Sequence, residues 1–386
     1  MKDRRLRVNL EPFRRRYLSG CRKTKSKVLS ELSDLYGYNR KYLIQAMNDY
    51  QEKPKVRQGR RLTYKEGLLE PLKRIWLATD QMCSKRLKAA IRLWLPYYDK
   101  EITESAKEQL LKMSAATIDR LLKPHRSHYH RHGLSGTKPG YLLKNKIPIK
   151  TDNWDVTQPG FVEADTVAHC GNSLSGDFVW SLTLTDIHTC WTENRATWNK
   201  GSEGVIEQIK AIEKTLPFCL KGFDCDNGSE FLTWHLLRYF TEEKTPAVAM
   251  TRSRPYKKND NAHVEQKNWS HVRHLLGYDR FDNPQVVSLI NDLYANEWNL
   301  YQNYFMPTQK LKTKEKINSK YRRRYEEPET AYQRIMKSPF IDEEMKEKLL
   351  TVYKSLNPFL LKKEIERKLK VIFNYATINK KPRTKV

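Results

Sequence analysis

The chain has 386 residues and carries 72 basic against 45 acidic side chains, a net charge of +27, with a hydrophobic fraction of 39%. That length predicts several domains rather than one. No apolar run is long enough to cross a bilayer, and nothing apolar follows the arginine-rich stretch from Met1 to Arg16, so neither a membrane span nor a secretory signal is expected.

The charge is unevenly placed: residues 1–150 balance at +22, residues 151–300 at −7, and residues 301–386 at +12. Two basic arms around an acidic centre point to a polyanionic partner, and nucleic acid is the usual one. Cys21, Cys83, Cys170, Cys190, Cys219 and Cys225 show no paired ligand spacing. They read as free thiols of a reducing cytoplasm rather than as a disulfide framework or zinc knuckle.

From Lys25 to Tyr50, Val28, Leu29, Leu32 and Leu35 mark one helical face. Gly37 interrupts it, and Asn39 caps a second helix carrying Leu43, Ile44 and Met47. That is the pattern of a helix-turn-helix, with Arg40 and Lys41 in the first turn of its second helix, where DNA would be met. Further helices are expected over Thr63–Ala78 and Ser84–Leu95, then from the caps Thr103 and Ser114, giving a helical DNA-binding region over 1–124. His125, His128, His130 and His132 lie among arginines and glycines and read as part of a solvated basic linker, 125–154.

Beyond Gly160 the texture changes to strands: Phe161–His169, Phe178–Ile187 and Cys190–Thr197. A helix over Ser202–Leu216, a strand Leu220–Cys225, a helix Phe231–Glu243, a strand Ala247–Thr251 and a helix from about Asn259 follow. The order describes an α/β sheet of five strands with an antiparallel start. Asp165 falls in the middle of the first strand, and Asp226 closes the fourth at the end where ligands collect in such sheets. Glu265 lies on the last helix. On a 100° wheel Val264, Trp269, Val272, Leu275 and Leu276 form an apolar arc that includes Asn261, Glu265 and Asn268, with Lys267 and His271 opposite. A carboxylate on a buried face demands a partner, which marks a site. By the two-residue strand period Glu163 shares a face with Asp165, and Asp224 with Asp226; each reads as a spare ligand, a support or a solvated edge.

Glu163-Ala164-Asp165-Thr166, Asp224 through Phe231, and Asn259 through Glu265 resemble the three signatures of the Asp-Asp-Glu integrase core. That superfamily includes bacterial insertion-sequence transposases and retroviral integrases. The gaps of 60 and 38 residues and the order Asp, Asp, Glu agree with it. Helical units ahead of the core resemble the bacterial transposases more than the retroviral enzymes, whose His-His-Cys-Cys zinc module is absent from this sequence. Some integrase cores carry lysines one and two turns beyond the glutamate, where this chain has Trp269 and Val272.

The resemblance implies a ribonuclease H-like core with a mixed five-stranded sheet over 155–307. It also implies catalysis by Asp165, Asp226 and Glu265 holding two Mg²⁺ ions, with Mn²⁺ as an alternative, and Asn227, Asn261 and Asn268 supporting the carboxylates. Such an enzyme cuts the ends of a mobile element and joins the 3′-hydroxyls to target DNA, as a homo-oligomer on double-stranded DNA, without a nucleotide cofactor or a membrane. A nucleoid-associated place in a bacterial cytoplasm follows. Arg252, Arg254, Lys257, Lys258 and Lys267 are expected to meet phosphates. So is the basic run Lys310 to Arg324, with Arg322, Arg323 and Arg324, read as a linker. It opens a basic, mainly helical tail, 308–386, with helices over Asp342–Leu356 and from Pro358 to about Tyr375. The alternative is a transposase-derived repressor that binds DNA without catalysis.

Overall fold

The computed structural model describes residues 11–48, 67–128, 156–226, 228–253, 262–317 and 320–377. Asn227, Arg254, Lys257, Lys258, Asn261, His130 and His132 lie outside them. The chain divides into two compact units, residues 1–63 and 64–386.

The first unit holds α1 (Glu11–Ser19), α2 (Arg22–Tyr36) and α3 (Arg40–Asn48). Tyr17, Val28, Leu29, Leu32, Leu43 and Met47 form its core. Gly37, at φ 65°, ends α2 in the left-handed region and donates its amide to the Ser33 carbonyl; glycine, without a Cβ, takes that conformation at no steric cost. Asn39 then accepts from the Lys41 amide at 2.9 Å and starts α3.

The second unit opens with α4 (Leu69–Ala78), α5 (Ser84–Trp94), α6 (Glu104–Lys112) and α7 (Ala115–Leu122). Thr103 and Ser114 cap α6 and α7 through the Ala106 and Thr117 amides, at the predicted positions. The sheet follows: β1 (Phe161–Ala168), β2 (Val179–Asp186), β3 (Thr192–Trp198), then α8 (Ser202–Glu213), β4 (Gly222–Cys225), α9 (Trp234–Thr241) and β5 (Ala249–Arg252). Its order is β3-β2-β1-β4-β5, antiparallel from β3 to β1 and parallel from β1 to β5. The five-stranded mixed sheet expected from the sequence is thus present.

The two faces of the sheet have different partners. Val162, Ala164, Phe223 and Cys225 point into a core completed by Val205, Ile209 and Ile212 of α8 and Leu236 and Phe240 of α9. By the two-residue period, Glu163 and Asp165 point the other way. That side receives α10 (Ala262–Lys267), which continues through a π-helical turn, Asn268–Arg273, into α11 (His274–Leu276). Next come α12 (Val286–Leu293), a second π-helical segment and α13 (Asn299–Phe305).

The tail departs from the sequence reading at its start. Leu311–Ile317 and Lys320–Tyr325 are β6 and β7, an antiparallel hairpin rather than a linker. Charged residues along both strands hide the alternation that usually reveals strands. The chain ends with α14 (Ala331–Lys337), α15 (Glu343–Ser355) and α16 (Pro358–Phe373); the last two stand where the sequence placed them.

One buried cluster joins α4–α7, α12, α13 and the C-terminal helices. Trp94 sits at its centre, edge-on to Tyr301, Phe305 and Phe359, with its indole N–H donated to the Phe305 carbonyl at 3.0 Å. Nearby, three successive carbonyls of the β2–β3 turn each meet a cation from a different element. Lys310 binds that of His188 at 2.6 Å, Arg334 that of Thr189 at 3.3 Å, and Lys267 that of Cys190 at 3.5 Å. Among the described residues no helix is long and apolar enough to cross a membrane.

Replacing Trp94 by alanine should destabilise the second unit by about 3–5 kcal/mol, the cost of a large aromatic removed from a closed core. Denaturant unfolding of the full chain measures it.

Candidate active site

β1 and β4 run parallel, and their last paired residues are Ala164 and Cys225. One step further along each strand come Asp165 and Asp226, on the same face of the sheet. Neighbouring strands lie about 4.8 Å apart, so the register alone brings the two carboxylates together. Asp165 Oδ1 accepts from the Thr166 amide at 2.7 Å, and Oδ2 from the Asn268 side-chain amide at 2.6 Å. Asp226 Oδ1 accepts from the Gly228 amide at 2.8 Å.

Two further carboxylates join them. Glu230 is 1% exposed; its Oε1 accepts from the Thr166 hydroxyl at 2.6 Å, and the Lys200 ammonium lies 2.8 Å from Oε2. A Cβ on Gly228 would overlap both the Glu230 Oε2 and Asp226 Oδ1 atoms, so the loop needs glycine there for space. Glu265 comes from α10, whose first turn is anchored on β1. The Glu163 Oε2 atom accepts from the His263 and Val264 amides, 3.0 Å each, and satisfies donors that a helix start leaves open. Glu163 is therefore a buried cap, and Asp224 a buried acceptor of the Thr251 hydroxyl at 2.5 Å; neither is a solvated edge.

Burial raises Asp165 well above the usual carboxylate range, and the charges of Asp226, Glu230 and Glu265 push it further, against the Thr166 amide. Asp226 is raised from 3.8 to about 6, by burial first and then by Glu230, while the Gly228 amide and Lys200 pull the other way. These are the effects of like charges gathered at low dielectric.

The sequence placed some residues differently. The helical wheel put Glu265 and Trp269 on the buried face and Lys267 and His271 on the exposed one. The structure exposes Glu265 and leaves Trp269 62% exposed, while Val264, Lys267, His271 and Val272 turn inward. Val264, Lys267, His271, Val272 and Leu275 keep ordinary helical spacing on the buried face; counting the exposed Trp269 with the apolar arc turned that arc toward Glu265 and away from Lys267. Lys267 is thus enclosed rather than presented to phosphates, and burial brings its pKa down to about 8. Arg252 is buried at the end of β5, beside Cys225 in register. Asn268 does reach the site, through Asp165. Lys41, Arg322, Arg323 and Arg324 are exposed; Arg40 is exposed too, but folds onto the hydroxyls of Ser26 and Ser30 at 2.7 and 3.2 Å.

Glu230, Lys200 and the capping role of Glu163 escaped the sequence reading. Glu230 lies within the motif from Asp224 through Phe231, whereas no local signal marks Lys200. Among the described residues no three His, Cys, Asp or Glu side chains are arranged to hold one metal ion. Asp165 and Asp226 are nevertheless the hard oxygen donors that Mg²⁺ takes, commonly one or two carboxylates completed by water and substrate phosphate. Their crowded negative charge suits a divalent cation, so the donor set fits that group.

A sheet of this order with a carboxylate cluster at the β1–β4 pair defines an α/β protein with an acidic site beside its central strands. No family model matches the sequence. The chain is 35% identical over 329 residues to the uncharacterized protein y4rM of Sinorhizobium fredii, covering 83% of this chain and 91% of that one. It belongs to the family of that protein.

Looser likenesses link it to solved structures. The catalytic core domain of HTLV-2 integrase in complex with magnesium is 15% identical, with a TM-score of 0.28, over 39% of this chain and 92% of that one. The catalytic core of BIV integrase is 13% identical, with a TM-score of 0.26, over 37% and 83%. A chain of the simian T-cell lymphotropic virus intasome with PP2A regulatory subunit B56 gamma is 14% identical, with a TM-score of 0.26; the match covers 45% of this chain and a little over half, 56%, of that one. At such scores the functional weight rests on the site's own geometry.

The raised pKa of Asp226 gives a test of the cluster. Its folded-state value lies above the unfolded one, so the native state binds the extra proton, and stability is lost as pH rises from about 4 through about 6. Replacing Asp226 by asparagine should therefore stabilise the protein above pH 6, by up to about 3 kcal/mol, and change little below pH 4. Thermal unfolding at pH 4 and pH 8 without divalent ions reads the difference.

Proposed function

We propose that the chain is a DNA transposase or integrase, a metal-dependent polynucleotidyl transferase that cuts the ends of a mobile element and joins them to target DNA. The observation that carries this reading is the placement of Asp165 and Asp226 side by side on β1 and β4, electrostatically linked to Glu265 on a helix capped from the same β1 strand. Asp165, Asp226 and Glu265 would hold the ions, with Mg²⁺ or Mn²⁺ the fitting metals. Bound there, divalent cations activate the attacking hydroxyl and stabilise the leaving oxygen of a phosphodiester.

The chain's own residues set the geometry for that chemistry. Asn268 fixes one oxygen of Asp165 and the Thr166 amide the other, so the carboxylate is oriented before substrate arrives. Glu163 holds the start of α10 against β1, which sets the distance from Glu265 to the sheet. Water attacks first and frees a 3′-hydroxyl at the element's end. That hydroxyl then attacks a target phosphodiester, whose own 3′-oxygen leaves, and the number of phosphodiester bonds is conserved.

The basic regions supply the grip. In this reading residues 1–124 bind element ends through Arg40 and Lys41, and 125–154 links them to the core, 155–307. The tail, 308–386, adds Arg322, Arg323 and Arg324 along β7, with Arg254, Lys257 and Lys258 ahead of α10. Asn227 and Asn261 would support the neighbouring carboxylates. Joining two ends calls for a homo-oligomer on double-stranded DNA, in a bacterial cytoplasm at the nucleoid.

Mg²⁺-dependent nicking and strand transfer on a labelled duplex from the gene's flanking sequence test the reading. Asp226→Asn and Glu265→Gln should each lose at least about a hundredfold in product while DNA affinity stays near wild type. Salt-sensitive binding without product from any form would favour the repressor instead.

A further inference from the structure

Lys200 stands at the corner between β3 and α8. Asn199 before it takes φ 58°, a left-handed conformation that asparagine tolerates, and donates its amide to the Phe178 carbonyl at 3.2 Å. Lys200 thereby lies over the sheet, with its ammonium 4.9 Å from the centre of the Trp180 ring and 2.8 Å from Glu230 Oε2. The contact to Glu230 is an ion pair without the alignment of a hydrogen bond. The two partners differ in access: the Glu230 side chain is 1% exposed and that of Lys200 25%.

A carboxylate buried among other carboxylates is costly unless a cation meets it. Glu230 touches both halves of the site, Asp165 through the Thr166 hydroxyl and Asp226 across Gly228. Its charge adds to that of both aspartates, and Lys200 relieves part of the load on Asp226. The lysine reaches solvent and is held by charge and a ring face rather than by directed bonds, so it can move without breaking a hydrogen bond.

We propose that Lys200 is the internal counter-cation of the carboxylate site, tethered by the buried Glu230, and that this pair sets how tightly the site takes a divalent cation. The proposal rests on the metal-dependent reading above and adds two residues to it. Lys200 is a positioning residue: it lowers the negative potential at Asp226 and competes with an incoming ion. The lysine offsets part of the charge that the carboxylates bring together. For the same reason the carboxylates alone bind a divalent ion weakly, and substrate phosphate oxygens are needed to complete the shell.

The test is a titration of Mn²⁺ into the full chain without DNA, with free ion counted by electron paramagnetic resonance. Lys200→Met should bind Mn²⁺ about tenfold more tightly than wild type, the scale of one nearby unit charge in a partly solvated site. Lys200→Arg should restore wild-type affinity, since it keeps the charge, and Glu230→Gln should bind more weakly, since it removes a negative charge and leaves the lysine. Should Lys200→Met fail to fold, Lys200→Gln, which can still donate to Glu230, is read in its place with the same direction. Asp226→Asn serves as the reference for the metal site. If Asp226→Asn weakens binding but neutralising Lys200 does not tighten it, the role of Lys200 is overturned while the metal site stands. If Asp226→Asn leaves Mn²⁺ binding untouched, both fall.

Discussion

Parallel pairing of β1 with β4 is the constraint on which the rest of the site depends. Ala164 beside Cys225 fixes the register, and a slip of one residue would turn every side chain of either strand to the other face. The register is held by burial: Val162, Ala164, Phe223 and Cys225 are enclosed by α8 and α9, so the acids between and beyond them point toward α10. The apolar half of each strand thus aims the acidic half. Glu163 extends the same logic, because a strand residue on that face reaches the open amides of α10 and fixes the helix to the strand.

Such an arrangement of like charges at low dielectric is expensive. Burial raises the proton affinity of Asp165 and Asp226, and the charges of Asp226, Glu230 and Glu265 add to it at Asp165 as that of Glu230 does at Asp226. Local donors offset part of the cost: the amides of Thr166 and Gly228, the side chain of Asn268, the hydroxyl of Thr166 and the ammonium of Lys200. Most of these donors come from residues adjacent to the acids, so the compensation is folded in with the site. A core with fewer acids would be more stable, and the surplus of negative charge is the feature a cation can use.

Local signals carried most of the sheet. The strand pattern from Phe161 marked β1, and Asp226 marked the end of β4, both within a few residues of the feature itself. The caps of α6 and α7 were legible for the same reason. What escaped depends on distance or irregularity. Trp269, a large apolar side chain left 62% exposed, drew the apolar arc toward Glu265 and away from Lys267. The β6–β7 hairpin was masked by its own lysines and arginines, which make both of its faces polar. Glu163 meets α10 about 100 residues along the chain, and Lys200 meets Glu230 across 30, so neither pairing leaves a trace in local spacing.

The β2–β3 turn carries a consequence for how the chain can be taken apart. His188, Thr189 and Cys190 present their carbonyls to Lys310, Arg334 and Lys267, which come from the base of the hairpin, from α14 and from the helix of Glu265. A fragment cut after Pro307 would lose two of those three donors, Lys310 and Arg334. The third donor, Lys267, sits two residues from Glu265, so loosening the turn reaches the acidic site through a single helical step. Charge divides the sequence into three regions, but the packing does not respect the last of those borders: the tail is a brace for the centre, and the two are one mechanical part.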